Sequence, residues 1–264
     1  MYYFISEELR EFFEQGDHFF IRVNNKSPLY VNKEAFSILK LCNGNRHVNE
    51  IVKQIAEEFS VTNKVAASNV IPFLKQCAKN RMLNLSMNKL EEPIVINVYG
   101  STSYWLPLHI AIELTNACSL RCKHCYANAG YGSVMENELL EKIIDDVISL
   151  KISTVQLTGG EPTLHPLFSK VLNKLVNNKI NVTVTSNGYY HANELEYFNL
   201  LSGTANYVQI SIDGLQQNHN EIRGKNDAYQ TSIDSVEKLS NMGVNVKIAT
   251  CLISQTTEEI FKLE

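Results

Sequence analysis

The chain has 264 residues, 44% hydrophobic and 20% charged, with a net charge of −4. That balance is ordinary for a soluble globular protein, the length serves one large domain or two smaller ones, and no apolar run approaches the roughly 20 residues of a membrane span. Charge is uneven: residues 1–90 hold 12 Lys or Arg against 9 Asp or Glu, whereas residues 91–264 hold 12 against 19. The first part can meet nucleic acid or an acidic peptide, and the second lacks a polyanion footprint. Met1-Tyr2-Tyr3-Phe4 soon meets Glu7, Glu8 and Glu11, which is no secretory signal. A cytoplasmic location and a reducing compartment are therefore expected.

In chain order, His18 to Val23 and Leu29 to Val31 are rich in aromatic and β-branched residues and flank Asn24-Asn25-Lys26-Ser27-Pro28, the pattern of a hairpin. Lys33 to Leu41 has helical apolar spacing, ended by Asn43-Gly44-Asn45. A second helix is expected over Val48 to Phe59. A third, over Lys64 to Arg81, is expected to be interrupted or kinked at Pro72. A strand over Met82 to Leu85 completes a small winged-helix-like α+β module at residues 1–90. Residues 91–108 read as a linker that also packs, with an extra strand possible over Ile94 to Tyr99 and Trp105 packing the joint.

From residue 109 strands and helices alternate, which predicts a parallel sheet with right-handed crossovers. Strands are expected at His109–Leu114, Thr154–Leu157, Asn181–Thr185, Tyr207–Ile212 and Asn245–Leu252, with helices near Glu136–Leu150, through Phe168 to Leu175, near Asn193–Leu201 and near Ala228–Met242. In parallel α/β folds chemistry gathers at strand C-termini. Every polar cluster of this region lies at one.

The first of these clusters holds Cys118, Cys122 and Cys125 within Leu114 to Tyr126. Three thiols in a loop rich in Ser, Arg, Lys and His are not a buried core, and they lack the paired knuckles of a structural zinc site. Three thiolates can hold a four-iron cubane and leave one iron open for a ligand. The lone Cys42, Cys77 and Cys251 read as core residues. The second cluster is Thr158-Gly159-Gly160-Glu161-Pro162, closing the next strand. Its glycines allow close backbone approach to a ligand, and Glu161 is an anionic acceptor suited to an ammonium group.

Together, these two motifs resemble those of the radical S-adenosylmethionine (SAM) enzymes. The resemblance implies a partial six-stranded (β/α) barrel, here ending after strand five, over residues 109–264. It implies that Cys118, Cys122 and Cys125 ligate a [4Fe-4S] cluster and that Glu161, with the backbone of Gly159 and Gly160, grips the SAM amino group. By the same resemblance Tyr126 faces the adenine, Ser186 and Asn187 lie near the ribose, and Ser211 and Asp213 occupy similar ground. Arg223 is aimed at the SAM carboxylate, a partner suited to a guanidinium fork. His124 stands where the family usually has an aromatic residue, and packing beside the cluster is its expected role. SAM cleaved by one electron would yield a 5′-deoxyadenosyl radical that abstracts hydrogen from an unactivated carbon.

With such a barrel attached, the 1–90 module is similar to the leader-peptide recognition domain, of pyrroloquinoline-quinone-chaperone type, found in enzymes that modify ribosomally made peptides. The resemblance implies a precursor peptide as partner, a flavodoxin- or ferredoxin-like electron donor, no membrane partner, and a thioether to an α-carbon as one product. Three alternatives stand beside it. One is another radical SAM oxidoreductase or maturase acting with a protein partner. Another is a truncated peptide-binding protein without turnover. The third is a DNA-binding redox sensor whose third helix offers Lys64, Lys75, Lys79 and Arg81 to phosphates. The sensor ranks last, because Glu161 and its glycines serve cofactor chelation.

Overall fold

The computed structural model describes residues 1–6, 9, 11–22, 28–101, 106–130, 132–189, 194–253 and 257–262. The expected hairpin turn at 24–27 and Trp105 lie outside them. The chain divides into two compact units, 1–106 and 107–264. No helix among the described residues is long and apolar enough to cross a membrane.

The first unit opens with strands β1 (Tyr2–Ile5), β2 (Glu11–Gln15), β3 (His18–Arg22) and β4 (Leu29–Val31). Helix α1 (Lys33–Lys40) follows, capped by the Asn32 side chain on the Ala35 amide, then β5 (Asn43–His47) and α2 (Val48–Glu58). Helix α3 (Asn63–Lys79), β6 (Leu83–Ser86) and β7 (Asn97–Ser101) complete it. The β3–β4 hairpin is antiparallel, with Phe19 opposite Val31 and Ile21 opposite Leu29. Two sheets form, ordered β5-β1-β6 and β4-β3-β2-β7.

Several expectations for this unit change. Asn43-Gly44-Asn45 does not merely stop a helix but opens β5, with Gly44 at φ +78° and Phe4 paired to Asn43. Helix α3 is one helix through Pro72 and ends at Lys79, with Arg81 beyond it at φ +60°. Within the stretch read as a linker, β7 pairs in parallel with β2, and Ile94 and Ile96 pack on the unit's core. That core gathers Phe12, Phe36, Ile51, Val70 and Leu74, all at or below 1% exposure.

The second unit alternates strand and helix. Its strands are β8 (His109–Glu113), β9 (Thr154–Thr158), β10 (Asn181–Ser186), β11 (Tyr207–Ser211) and β12 (Val246–Ala249). Its helices are α4 (Asn137–Ser149), α5 (Phe168–Asn177), α6 (Glu194–Thr204), α7 (Gln216–Arg223), α8 (Ala228–Asn241) and α9 (Thr257–Phe261). All strand pairs are parallel and follow chain order from β8 to β12. With right-handed crossovers and no reversal of strand order, the crossover helices fall on one face of the sheet. The register fixes which side chains meet them: Ile112, Leu157, Val184, Val208 and Val246 stand in one row across the five strands. These pack with Leu140 and Ile144 of α4, Leu172 and Leu175 of α5, and Leu239 of α8.

Residues of the opposite parity are polar apart from Ala111 and Ala249. Gln156 and Thr185 join across β9 and β10 by a 2.7 Å hydrogen bond, and Thr158 and Ser211 share that side by alternation. The sheet thus presents an apolar face to its helices and a polar face to a cavity. Helix α7, which ends at Arg223, falls where the sequence pattern predicts no helix. It is polar apart from Ile222, and therefore carries no apolar stripe to announce it.

Candidate active site

At the C-terminal ends of β8 to β12 lies a cavity of about 320 Å³, lined by all three motif cysteines. The loop carrying them is pinned at several points. Thr115 bridges Val134, Gly130 N–H donates to Asn116 O at 2.8 Å, and Ala117 N–H donates to the Thr115 hydroxyl at 2.9 Å. The Arg121 guanidinium reaches across the loop to Cys118 O and Leu120 O, each at 2.9 Å, and to Gly130 O at 2.7 Å. Lys123 N–H donates to Ile222 O at 2.9 Å, fastening the loop to the end of α7. The bracing role of Arg121 was missed in the sequence, where an arginine among polar loop residues carries no distinguishing signal.

Each cysteine sulfur has an N–H donor, and Cys118 has a second from the Leu120 backbone. Asn187 Nδ2 donates to Cys118 Sγ at 3.5 Å, Arg223 Nη1 to Cys122 Sγ at 3.6 Å, and Ala129 N to Cys125 Sγ at 3.3 Å. Burial nevertheless raises the thiol pKa of Cys118 and of Cys122, against the lowering effect of Arg223 on the latter. Three half-buried thiols face one cavity, and at Cys118 and Cys122 burial holds back ionisation; a cationic iron core would supply the missing positive charge.

The Gly-Gly-Glu segment sits differently from expectation. A Cβ on Gly159 or Gly160 would run into the carbonyl oxygens of Thr115 or Ala117, and Gly159 has φ +136°. The close approach that demands glycine is thus to the cysteine loop of this chain, sealed by Gly160 N–H to Thr115 O at 2.6 Å and Glu161 N–H to Ala117 O at 2.8 Å. Gly159 and Gly160 still line the cavity.

Glu161 does not. It is 1% exposed, and its carboxylate accepts from the Thr163 hydroxyl at 2.8 Å, from the Ser186 hydroxyl at 3.1 and 3.0 Å, and from Asn187 N–H at 2.9 Å. Burial raises its pKa, while these donors work in the opposite sense. The carboxylate is turned into the protein toward these donors and away from the cavity, which the adjoining Gly159 and Gly160 border. Ser186 shares the parity of Val182 and Val184, so its hydroxyl turns toward Glu161, although the residue borders the cavity.

Ser211, of the opposite parity, lines the cavity. Tyr126 stands at the rim, 80% exposed, donating its hydroxyl to Glu113 at 2.8 Å. Asp213 is wholly buried. It meets Arg223 Nη2 at 2.7 Å, lies 3.4 Å from His124 Nε2, and accepts from Cys251 N–H at 2.9 Å. Cys251, expected in the core, is exposed at the cavity edge. The Nε of Arg223 is buried and has no hydrogen-bond partner among the described residues. His219, which no motif flagged, is fully buried, and its Nδ1 accepts from the Asp213 amide at 3.0 Å. Burial, then the Arg223 charge, lowers its pKa to about 4.

Residues 112–263 match the family model of the Radical SAM superfamily, and residues 29–83 match that of Coenzyme PQQ synthesis protein D. The sporulation killing factor maturation protein SkfB of Bacillus subtilis is 30% identical over 174 residues, covering 65% of this chain and 42% of that protein. The antilisterial bacteriocin subtilosin biosynthesis protein AlbA of the same organism is 22% identical over 244 residues, covering 91% and 54%. The chain spans about half the length of the curated relatives it matches. The crystal structure of Streptococcus suis SuiB bound to S-adenosylmethionine shares the fold, with a TM-score of 0.63, 16% identity, and coverage of 98% of this chain and 59% of that one.

Proposed function

The chain belongs to the radical SAM superfamily, and from that premise we propose that it modifies a ribosomally synthesised precursor peptide, captured by its first unit. The observation that carries this reading is the presence, in one chain, of a three-sulfur cavity and a segment of PQQ-synthesis-protein-D type. Relatives named for the maturation of a sporulation killing factor and the biosynthesis of a bacteriocin support it. In the first unit β4 is an edge strand, pairing with β3 alone among the described strands, and offers a guest strand a row of free backbone groups. A flavodoxin- or ferredoxin-like protein is the proposed electron donor, and the cytoplasm the proposed location.

In this reading Cys118, Cys122 and Cys125 hold the [4Fe-4S] cluster of the family. When bound, cluster and SAM supply one-electron cleavage of the sulfonium and removal of a substrate hydrogen atom. The residues of this chain orient and enclose. The Gly159–Gly160 backbone borders the cavity for the SAM amino group, and Glu161 acts beneath it by fixing Ser186 and Asn187. The Nε–H of Arg223, without a partner among the described residues, is a donor for the SAM carboxylate, and Ser211 offers a hydroxyl. Tyr126 flanks the entrance.

The test is anaerobic reconstitution of the full chain with iron and sulfide, then dithionite, SAM and the synthetic precursor peptide encoded beside its gene. We expect 5′-deoxyadenosine and a modified peptide, both abolished when Cys118, Cys122 and Cys125 are replaced by Ala. Loss of two hydrogen atoms from the peptide, retained after thiol reduction and accompanied by loss of one alkylatable cysteine, would mark a thioether. A loaded chain that cleaves SAM but neither binds nor alters that peptide would overturn the substrate reading.

A further inference from the structure

The three motif sulfurs draw N–H donors from three separate places in the chain: the end of β10 for Cys118, the end of α7 for Cys122, and the motif loop itself for Cys125 and, through the Leu120 backbone, for Cys118 as well. Two of these donors are side chains whose orientation leaves little choice. The Asn187 amide is locked because its Oδ1 accepts Tyr189 N–H at 2.7 Å, its own N–H is held by Glu161, and its carbonyl accepts from the Ser232 hydroxyl at 2.9 Å. With Oδ1 so committed, only Nδ2 can face Cys118. Arg223 is 7% exposed and anchored by the Asp213 ion pair at 2.7 Å, and Asp213 is held in turn by Cys251 N–H. Its Nη1 is left to Cys122.

We propose that Asn187 and Arg223 are positioning residues that raise the reduction potential of the cluster through N–H···S contacts with Cys118 and Cys122, and that Asp213 attenuates the Arg223 contribution. The proposal rests on the cluster site described under the proposed function. Its physical basis is general: a donor or cation beside a ligating sulfur favours the state with one more electron, and an anion beside that cation offsets it. The Ala129 donor is main chain, so the two side chains are where substitution can act.

The three groups predict shifts of different sign. Asn187→Asp keeps the acceptor for Tyr189 N–H but replaces the donor to Cys118 with an anion, and lowers the potential. Asp213→Asn exposes the full Arg223 charge and raises it. Arg223→Gln alone would remove the guanidinium that faces the buried Asp213 carboxylate and endanger folding. It is therefore made as the Asp213→Asn, Arg223→Gln double variant, whose potential falls below that of Asp213→Asn.

The experiment is a redox titration of each reconstituted full-length chain with dithionite, without SAM or peptide, following the reduced cluster by electron paramagnetic resonance. Each step is expected to move the one-electron equilibrium by about tenfold, or about 59 mV. Midpoints that coincide with the wild type, or that shift in one direction for both Asn187→Asp and Asp213→Asn, would overturn the tuning role while leaving the cluster site intact. Failure of the wild-type chain to assemble a cluster would overturn the site assignment, and this inference with it.

Discussion

The Ser186 hydroxyl donates to the buried Glu161 carboxylate, lying 3.1 and 3.0 Å from its two oxygens, so the acid of the Gly-Gly-Glu-Pro turn ties the end of β9 to the end of β10 rather than facing the cavity. Among the described residues the hydrogen-bond partners of that carboxylate are donors, and two are main-chain amides that cannot rotate. Glu161→Gln replaces one acceptor oxygen with an NH2 group opposed to those amides. Its expected cost is about 1–3 kcal/mol of stability, read from the midpoint of urea unfolding. Because Glu161 also orders Asn187, iron uptake should fall in the same variant.

Gly160→Ala and Gly159→Ala should each destabilise the chain even before any cofactor is added. The new methyl would meet the carbonyls of Thr115 or Ala117, and Gly159 adds a positive φ that alanine rarely adopts. A loss of about 1–3 kcal/mol, measured by denaturant unfolding of the metal-free chain, is expected. A metal-free chain of unchanged stability would mean that the glycines are needed only for ligand approach.

Arg121→Ala should leave the fold standing while loosening the cysteine loop, because three carbonyls lose their shared donor. The expected readout is about a 10–100-fold weaker hold on iron, as for loss of other groups that orient metal ligands. Iron and sulfide content per chain after reconstitution and desalting measures it. Tyr126→Phe is the contrasting case: a rim hydroxyl on an exposed residue, whose loss should change stability by no more than about 0.5 kcal/mol and leave iron content unchanged.

His219 predicts a pH dependence. Its folded pKa of about 4 lies below the ordinary 6.5, so between these values the unfolded chain binds more protons than the folded one. The stabilisation is complete above pH 6.5 and is lost as pH falls through 6.5 toward 4, by about 3 kcal/mol in all. His219→Asn retains an acceptor for the Asp213 amide but cannot titrate. Unfolding midpoints measured from pH 7 to pH 5 should therefore fall less steeply in the variant than in the wild type.

Much of the second unit was legible from local pattern. Apolar runs of strand length alternate with helical periodicities such as Leu140, Ile144 and Val147, and the five strands formed where those runs lie. The first unit was less readable. Strand β5 is Asn-Gly-Asn-Arg-His, with no strand propensity of its own, and exists because Tyr2 pairs with His47 and Phe4 with Asn43.

By itself, the sequence determined which residues would be near one another along the chain: three cysteines within one loop, two glycines and a glutamate at the next strand end, and the βα repeat that carries both to one edge. Spacing and periodicity are local quantities, so they survive without a structure. Only tertiary structure decided where the polar side chains point. Cys122 and its Arg223 donor are 101 residues apart, Cys118 and Asn187 are 69 apart, and Glu161 and Ser186 are 25 apart. Such pairings depend on strand parity, on register across the sheet, and on a helix, α7, with almost no apolar signature. That is why Glu161 reads as a ligand for an ammonium group in the sequence and stands in the fold as a buried brace between the ends of β9 and β10.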